Sequence, residues 1–178
     1  LNASAKVGTT FSTSLVEPFS VNQKDVQAAL RTDVLLNRVF IEPLLGMGYP
    51  VADLPILKRL EQFIKSGDEA LLAFDMDFIG VQHYTREIVK FSRWVPFVQA
   101  RIIKADKRNV TRTQMNWEVH PESMYQILKK ISAYPNVPEI IVTENGAAFP
   151  DQPINGQVKD LERIRFFQDY INQLYRAK

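Results

Sequence analysis

The sequence contains no cysteine, which excludes disulfide bonds, thiolate metal sites and a cysteine nucleophile. It has only two histidines, His83 and His120, and they show no metal-ligand spacing. We therefore expect neither a metal ion nor another cofactor. No run of about 18 apolar residues occurs, so we expect no transmembrane helix and no membrane partner. The lack of cysteine fits a reducing compartment, and we expect a cytoplasmic protein.

The excess of positive charge is small. Twenty-two Lys and Arg residues against 20 Asp and Glu residues give a net charge of +2, which provides no case for nucleic acid as a partner. Apolar residues make up 46% of the chain and charged residues 24%, as in an ordinary globular protein with a hydrophobic core. No linker divides the sequence, so we expect residues 1–178 to belong to one domain.

Three apolar segments are predicted to be strands, and amphipathic helices separate them. The strands are predicted at residues 7–11, 77–84 and 138–143. The helices are predicted to begin at Asn22, Asp53 and Pro121 and near residue 161. The last two strands are apolar without alternation, as is typical of strands buried on both faces of a parallel sheet. Strands that alternate with helices indicate an α/β fold.

Apolar residues recur at helical spacing in all four predicted helices. The inner face of the helix after Pro121 is predicted to consist of Met124, Ile127, Leu128 and Ile131. The apolar stripe of the last helix is predicted to consist of Leu161, Ile164, Phe167, Ile171 and Leu174.

The stretch from Arg86 to Asn116 shows no clear helical pattern, and its basic residues alternate with Val and Ile. We predict a long excursion, with a β-hairpin as one form. A loop of this length in a compact domain is usually functional or mobile.

A single carboxylate, Glu144, stands where the third apolar strand ends. In a parallel α/β architecture this end of the strands is where active sites are built. Asn145 and Gly146 then allow the backbone to turn sharply. From the pattern alone, a solvent-facing glutamate beside a turn is as good an interpretation as a catalytic one.

Several motifs resemble those of the family 1 glycoside hydrolases, which include β-glucosidases, β-galactosidases and phospho-β-glycosidases. Residues 141–149, Ile-Val-Thr-Glu-Asn-Gly-Ala-Ala-Phe, resemble the family's nucleophile motif. Residues 77–85 resemble its sixth-strand motif, Asp-Phe-Leu-Gly-Ile-Asn-Tyr-Tyr-Thr. Residues 116–118, Asn-Trp-Glu, resemble its Gly-Trp-Glu, and residues 37–50 resemble its Asn-Arg-Trp-Phe to Gly-x-Tyr-Pro segment. Separate motifs in the family's order are much more specific than one motif.

The resemblance implies that the chain is part of a (β/α)₈ TIM barrel, from strand five to helix seven, in the C-terminal half of one catalytic domain. It implies a retaining β-glycosidase of the β-glucosidase type. Glu144 is then the nucleophile that forms a covalent glycosyl-enzyme intermediate. The expected substrate is a β-glycoside or an oligosaccharide.

The resemblance also assigns roles near Glu144. Tyr84 is expected to donate a hydrogen bond to it, because a phenol donor favours an ionised carboxylate. Trp117 and Gln82 are expected to bind the substrate: an indole stacks on a leaving group, and Gln82 carries an amide where the family usually has Asn. The alternatives are a strand-end tyrosine for Tyr84 and a core tryptophan for Trp117.

Three further residues are interpreted structurally. His83 replaces a Tyr of the family motif and alternates away from Tyr84, so we predict a packing histidine. Glu118 and Glu122 are interpreted as carboxylates that complement the dipole at the start of a helix.

The family's acid/base motif, Thr-x-Asn-Glu-Pro, has no counterpart here, because neither Glu17-Pro18 nor Glu42-Pro43 follows an asparagine. By the same alignment, strands one to four and strand eight have no counterpart. We therefore expect the remaining barrel segments, on the same or a companion polypeptide, to carry the acid/base, and the isolated chain to be inactive. The alternative is an inactive truncated homologue that acts as a carbohydrate-binding or assembly module.

Overall fold

The computed structural model describes residues 4–178. Its centre is a sheet in which the long strand β2 (Phe78–Phe91) lies between β1 (Gly8–Pro18) and β4 (Glu139–Glu144), and both pair with it in parallel. The short strand β3 (Ala100–Ile102) pairs antiparallel with the end of β2. The predicted parallel α/β arrangement is confirmed.

Helical segments connect the strands. They are α1 (Gln23–Asp33), a π-helical turn (Val34–Arg38), α2 (Val39–Leu44), a 3₁₀ segment (Pro55–Phe63), α3 (Asp68–Leu72), a 3₁₀ turn (Ala105–Lys107), α4 (Glu122–Ser132) and α5 (Leu161–Ala177). Asn22 caps α1, because its side chain accepts a hydrogen bond from the Lys24 amide. The helix predicted from Asp53 is a 3₁₀ helix instead, and only Leu57 of it is buried, so little packing favours the α form. Within the described range, no helix has the length and apolar content to cross a membrane.

The main core lies between the sheet and helices α4 and α5. Ile79 and Val81 of β2 belong to one core cluster with buried residues of both helices. The predicted inner face of α4 is buried and confirmed. The predicted helix α5 is present, but its buried residues are Phe166 and Tyr170. Its predicted stripe is exposed, and this stripe consists of Leu161, Ile164, Phe167, Ile171 and Leu174.

The excursion after Tyr84 begins as a continuation of β2. Val89 and Phe91 pair with Ile102 and Ala100 of β3, so the predicted β-hairpin is present. Buried Val89 and Ala100 pack against small residues of α1, and this contact holds the hairpin against the body of the protein.

Candidate active site

Glu144 is the last residue of β4, and a shift in register aims its side chain. Val81 pairs with Val142, but Gln82 pairs with Glu144, so Thr143 is an extra residue in β4. We call this irregularity the β4 bulge. Successive side chains of a strand point to opposite faces. The bulge therefore places Glu144 on the same face as Gln82, opposite the face that carries Val81 and the helices.

The three parallel strands pack closely at Gly80, two residues before Gln82. An added Cβ at Gly80 would clash with Thr10 Oγ1 on β1 and would lie 3.0 Å from Thr143 Cγ2 on β4. Glycine is therefore needed at position 80, because any side chain there would push the neighbouring strands apart.

Each oxygen of the Glu144 carboxylate accepts a hydrogen bond from β2. The Tyr84 hydroxyl donates to Oε2, and the Gln82 amide donates to Oε1 at 2.9 Å. The bond to Glu144 raises the pKa of Tyr84, so the phenol keeps its proton and remains a donor. Although Glu144 is exposed to solvent in this chain, the two donors hold its carboxylate in one orientation. These contacts bring together three of the predicted site residues, Glu144, Tyr84 and Gln82.

Tyr84 is itself held in place from two sides. Its ring lies 5.3 Å from the ring of Trp117, measured between centroids, at an angle of 48°. Its backbone carbonyl accepts a hydrogen bond of 3.2 Å from the Tyr170 hydroxyl on α5. Burial raises the pKa of Tyr170 to about 12, so this hydroxyl also keeps its proton. Trp117, the fourth predicted site residue, thus lies beside the pair formed by Tyr84 and Glu144.

The next residues on each strand tie β4 and β2 together. The Asn145 side chain donates to the His83 carbonyl at 2.7 Å. The His83 side chain points away from the site and is fully buried, with Nε2 2.8 Å from Ser123 Oγ and Nδ1 3.2 Å from the Thr13 carbonyl. Burial lowers the pKa of His83 to about 4, so the imidazole is neutral at pH 7. His83 is the packing histidine that was predicted.

The interpretation of Glu118 as a carboxylate at a helix start is wrong. Helix α4 begins four residues later, at Glu122, and Glu118 is instead buried between two arginines. Arg86 donates to both of its oxygens at 2.8 and 3.0 Å, and Arg108 donates at 2.6 Å. Burial alone raises the pKa of Glu118, but these hydrogen bonds outweigh it, so the pKa lies below its ordinary value. Glu122 does lie in the first turn of α4, as predicted.

Sequence reasoning missed the role of Arg86 in this network. Arg86 also pairs with Glu17 at the end of β1, at 2.8 Å. The available signal was a charged residue in the middle of a mostly apolar strand. The ion pairs tie the Trp117 segment to β2 immediately beyond Tyr84. Among residues 4–178, no group of three or more His, Cys, Asp or Glu side chains is arranged to hold a metal ion.

The fold and site together define a class: an α/β protein that holds a carboxylate at the carboxyl end of a parallel strand, where barrel enzymes place their catalytic groups. The sequence model of Glycosyl hydrolase family 1 matches residues 1–178, and the chain belongs to this family. The family predicted from the motifs is therefore confirmed.

Curated relatives and solved structures agree with this assignment. Beta-glucosidase A of Acetivibrio thermocellus is 30% identical over 99% of this chain and 40% of its own length. Beta-glucosidase A of Thermotoga maritima is 32% identical over 97% of this chain and 38% of its own length. The structure of the AHE enzyme from Alicyclobacillus herbarius superposes with a TM-score of 0.91, at 32% identity, over 99% of this chain and 39% of that one. The family 1 β-glucosidase from Thermotoga maritima gives a TM-score of 0.85, at 30% identity, over 97% and 38%.

These neighbours are TIM-barrel enzymes, and they confirm the fold class as part of a (β/α)₈ barrel. The chain spans about two fifths of the length of the curated relatives that it matches.

Proposed function

We propose that this chain carries the nucleophile of a retaining β-glycosidase of the β-glucosidase type. Glu144 attacks the anomeric carbon of a β-linked glycoside and forms a covalent glycosyl-enzyme intermediate. A second carboxylic acid protonates the leaving oxygen and then activates the water that releases the sugar. The observation that carries this proposal is the Glu144 carboxylate at the end of β4, with one donor from β2 on each of its oxygens.

Activity in this proposal requires the remaining barrel segments, on the same or a companion polypeptide. The sequence has no Asn-Glu-Pro triplet to supply the acid/base. Among residues 4–178, no strand pairs with the outer edge of β1 or of β4, and nothing covers the apolar stripe of α5. Open strand edges and apolar faces favour association with a further chain segment.

The test uses an active form in which the missing barrel segments complete this chain. Glu144→Gln keeps the shape of the side chain but removes the anion, so hydrolysis of nitrophenyl β-glucoside should fall by several orders of magnitude. Glu139→Gln is the matched control, because Glu139 lies at the opposite end of β4 and pairs only with Lys6 at the surface. It should leave the rate nearly unchanged.

A fluorosugar that traps the glycosyl-enzyme should label Glu144 and no other residue. In the completed barrel, Glu144 should lie about 5–5.5 Å from the acid/base carboxyl, whereas a separation of about 6.5–9.5 Å would indicate an inverting enzyme. A label found on another residue, or normal hydrolysis by Glu144→Gln, would contradict the proposal.

A second candidate is an inactive homologue that binds carbohydrate or assembles with other chains. The exposed apolar stripe of α5 supports the assembly role, because such a face fits contact with another chain. Mass spectrometry of the undenatured protein separates the two, since the enzyme requires a companion segment that contains the acid/base.

A further inference from the structure

The register between β1 and β2 shifts by one residue beside Tyr84. One residue of β1, Ser14, lies opposite two residues of β2, Tyr84 and Thr85, and we call this irregularity the β2 bulge. On the other side of β2, the pairing with β4 ends at Gln82. Neither Tyr84 nor Thr85 therefore has a paired residue in any strand of the described sheet. Because strand pairing does not fix the backbone of Tyr84, other contacts must fix it.

A buried side chain completes the β1 side of the β2 bulge. The backbone amide of Ser14 donates to Asn37 Oδ1 at 3.1 Å, and the Ser14 carbonyl accepts from the Asn37 amide at 2.8 Å. Asn37 lies in the π-helical turn and is 2% exposed. Its amide thus replaces the partner strand at this point. The β2 bulge is therefore a built feature, of the kind that aims a side chain beside an active site.

A tyrosine of α5 holds the β2 side of the bulge. The Tyr170 hydroxyl donates to the Tyr84 carbonyl at 3.2 Å and accepts from the His120 backbone amide at 3.1 Å. Because one phenol hydroxyl both donates and accepts, Tyr170 links α5 to β2 and to the segment that leads into α4. Its ring is 1% exposed and stacks on Phe166, with 4.1 Å between the ring centroids.

The hydroxyl of Tyr170 is not needed to fill the core. A phenylalanine at this position would bury the same ring without a polar group that needs partners. A buried hydroxyl is stable only when it is hydrogen-bonded. Both partners here are backbone groups, and one of them belongs to the residue that donates to Glu144. The hydroxyl therefore determines where the Tyr84 backbone lies.

We propose that Tyr170 is a positioning residue: its hydroxyl holds the β2 bulge in the shape that keeps the Tyr84 hydroxyl on Glu144. Tyr170 acts through the backbone of Tyr84, and Tyr84 then acts on Glu144 Oε2. Its own hydroxyl is occupied by two backbone groups, so it takes no part in binding the substrate. The expected effect on the rate rests on the proposed function, whereas the expected effect on Tyr84 does not.

The first experiment is a double-mutant cycle in the active, completed form. Tyr170→Phe keeps the ring, so kcat for nitrophenyl β-glucoside should fall about fivefold, the effect of one weakened hydrogen bond, at an unchanged KM. In a Tyr84→Phe background, Tyr170→Phe should change kcat by less than about twofold, because the bond that it positions is already absent. An equal loss in both backgrounds would show that Tyr170 supports only the fold, and this would overturn the proposal.

Tyr134→Phe is the matched control for the loss of a phenol hydroxyl. Its hydroxyl bonds to Glu42, 3.3 Å away and outside the site. Thermal unfolding of Tyr134→Phe and Tyr170→Phe measures the cost of each change to the fold. Tyr134→Phe should leave kcat unchanged in both backgrounds, so a fall in kcat that followed stability alone would appear in the control as well.

Thr85→Val is a second variant that acts on the same bulge. It removes the hydrogen bond of 3.0 Å from Thr85 Oγ1 to the Glu118 carbonyl and nearly keeps the shape of the side chain. It takes the place of Tyr170→Phe if that protein does not fold. Its kcat should fall only where the Tyr84 hydroxyl is present, and an equal loss in the Tyr84→Phe background would contradict the proposal.

The second experiment observes Tyr84 without any hydrolysis. Tyrosines are labelled with ¹³C at the phenol carbon that bears the hydroxyl, and the NMR signal that Tyr84→Phe removes belongs to Tyr84. Glu144→Gln should move this signal, because a neutral amide accepts a weaker hydrogen bond than a carboxylate. Tyr170→Phe should move it in the same direction, and Tyr134→Phe should leave it in place.

The outcomes separate this inference from the proposed function. If Glu144→Gln hydrolyses normally but Tyr170→Phe moves the Tyr84 signal, the positioning role stands and the proposed function is wrong. If Glu144→Gln moves the signal and Tyr170→Phe does not, the positioning role is wrong, whatever the rates are. A signal that moves in neither variant would also overturn the proposal.

Discussion

Tyr84→Phe removes one hydroxyl from the candidate site and little else. The ring that packs against Trp117 remains, and so does the backbone carbonyl that accepts from Tyr170. The lost interaction is the hydrogen bond to Glu144 Oε2. A hydrogen bond to a charged group contributes about 1.5–3 kcal/mol, which corresponds to roughly 10- to 150-fold in rate. We expect a loss of about tenfold, at the lower end, because Gln82 still holds Oε1 and Glu144 is exposed.

The assay is kcat/KM for nitrophenyl β-glucoside, measured from pH 5 to 9 in the completed enzyme. Tyr134→Phe is the matched control, since its hydroxyl bonds only to Glu42, 3.3 Å away, outside the site. If Tyr84→Phe retained both the rate and the pH profile, the hydrogen bond to Glu144 would have no role in catalysis.

Two further predictions concern the isolated chain and its stability. The verified 178-residue chain alone should show no appreciable hydrolysis of nitrophenyl glucoside and should associate through its open strand edges; ordinary enzyme rates, or a stable dilute monomer by ultracentrifugation, would argue against this. The pKa of His83 is lowered by burial from 6.5 to about 4, so the unfolded chain binds the proton first and stability should fall as the pH drops from about 6.5 to about 4, by about 3 kcal/mol in total. Urea unfolding of His83→Gln should show a flatter dependence over this window, and equal slopes would count against a buried neutral imidazole.

The sequence predicted elements well where burial and periodicity agree. Continuous apolar segments identified the cores of β2 and β4, and helical spacing identified the inner face of α4. Helical spacing also identified the apolar stripe of α5. It could not show whether this chain buries the stripe, because periodicity indicates only that a face is apolar. The motif resemblance identified four candidate site residues, which are Glu144, Tyr84, Gln82 and Trp117. Only the structure shows that they lie close together.

The network around Glu118 was not predictable in the same way. Its partners are 32 and 10 residues away in the chain, and no local pattern indicates that Arg86 and Arg108 converge on one carboxylate. The cleft lined by Trp117, Ile102 and Arg108 was not predicted, for the same reason. It forms only when the hairpin folds back against β2, which is a long-range pairing.

Because of the β4 bulge, the face on which Glu144 lies depends on the number of residues in β4 and not on their chemical type. If Thr143 were deleted, β4 could pair with β2 without interruption, and the glutamate would still occupy the end of an apolar strand. In an alignment such a sequence would keep every residue of the site and lose only one neighbour. A gap at position 143 therefore says more than most nearby substitutions about whether the glutamate of a homologue faces the site. Gaps in the polar turn at 150–156 carry no such meaning, because no strand pairing in the sheet depends on them.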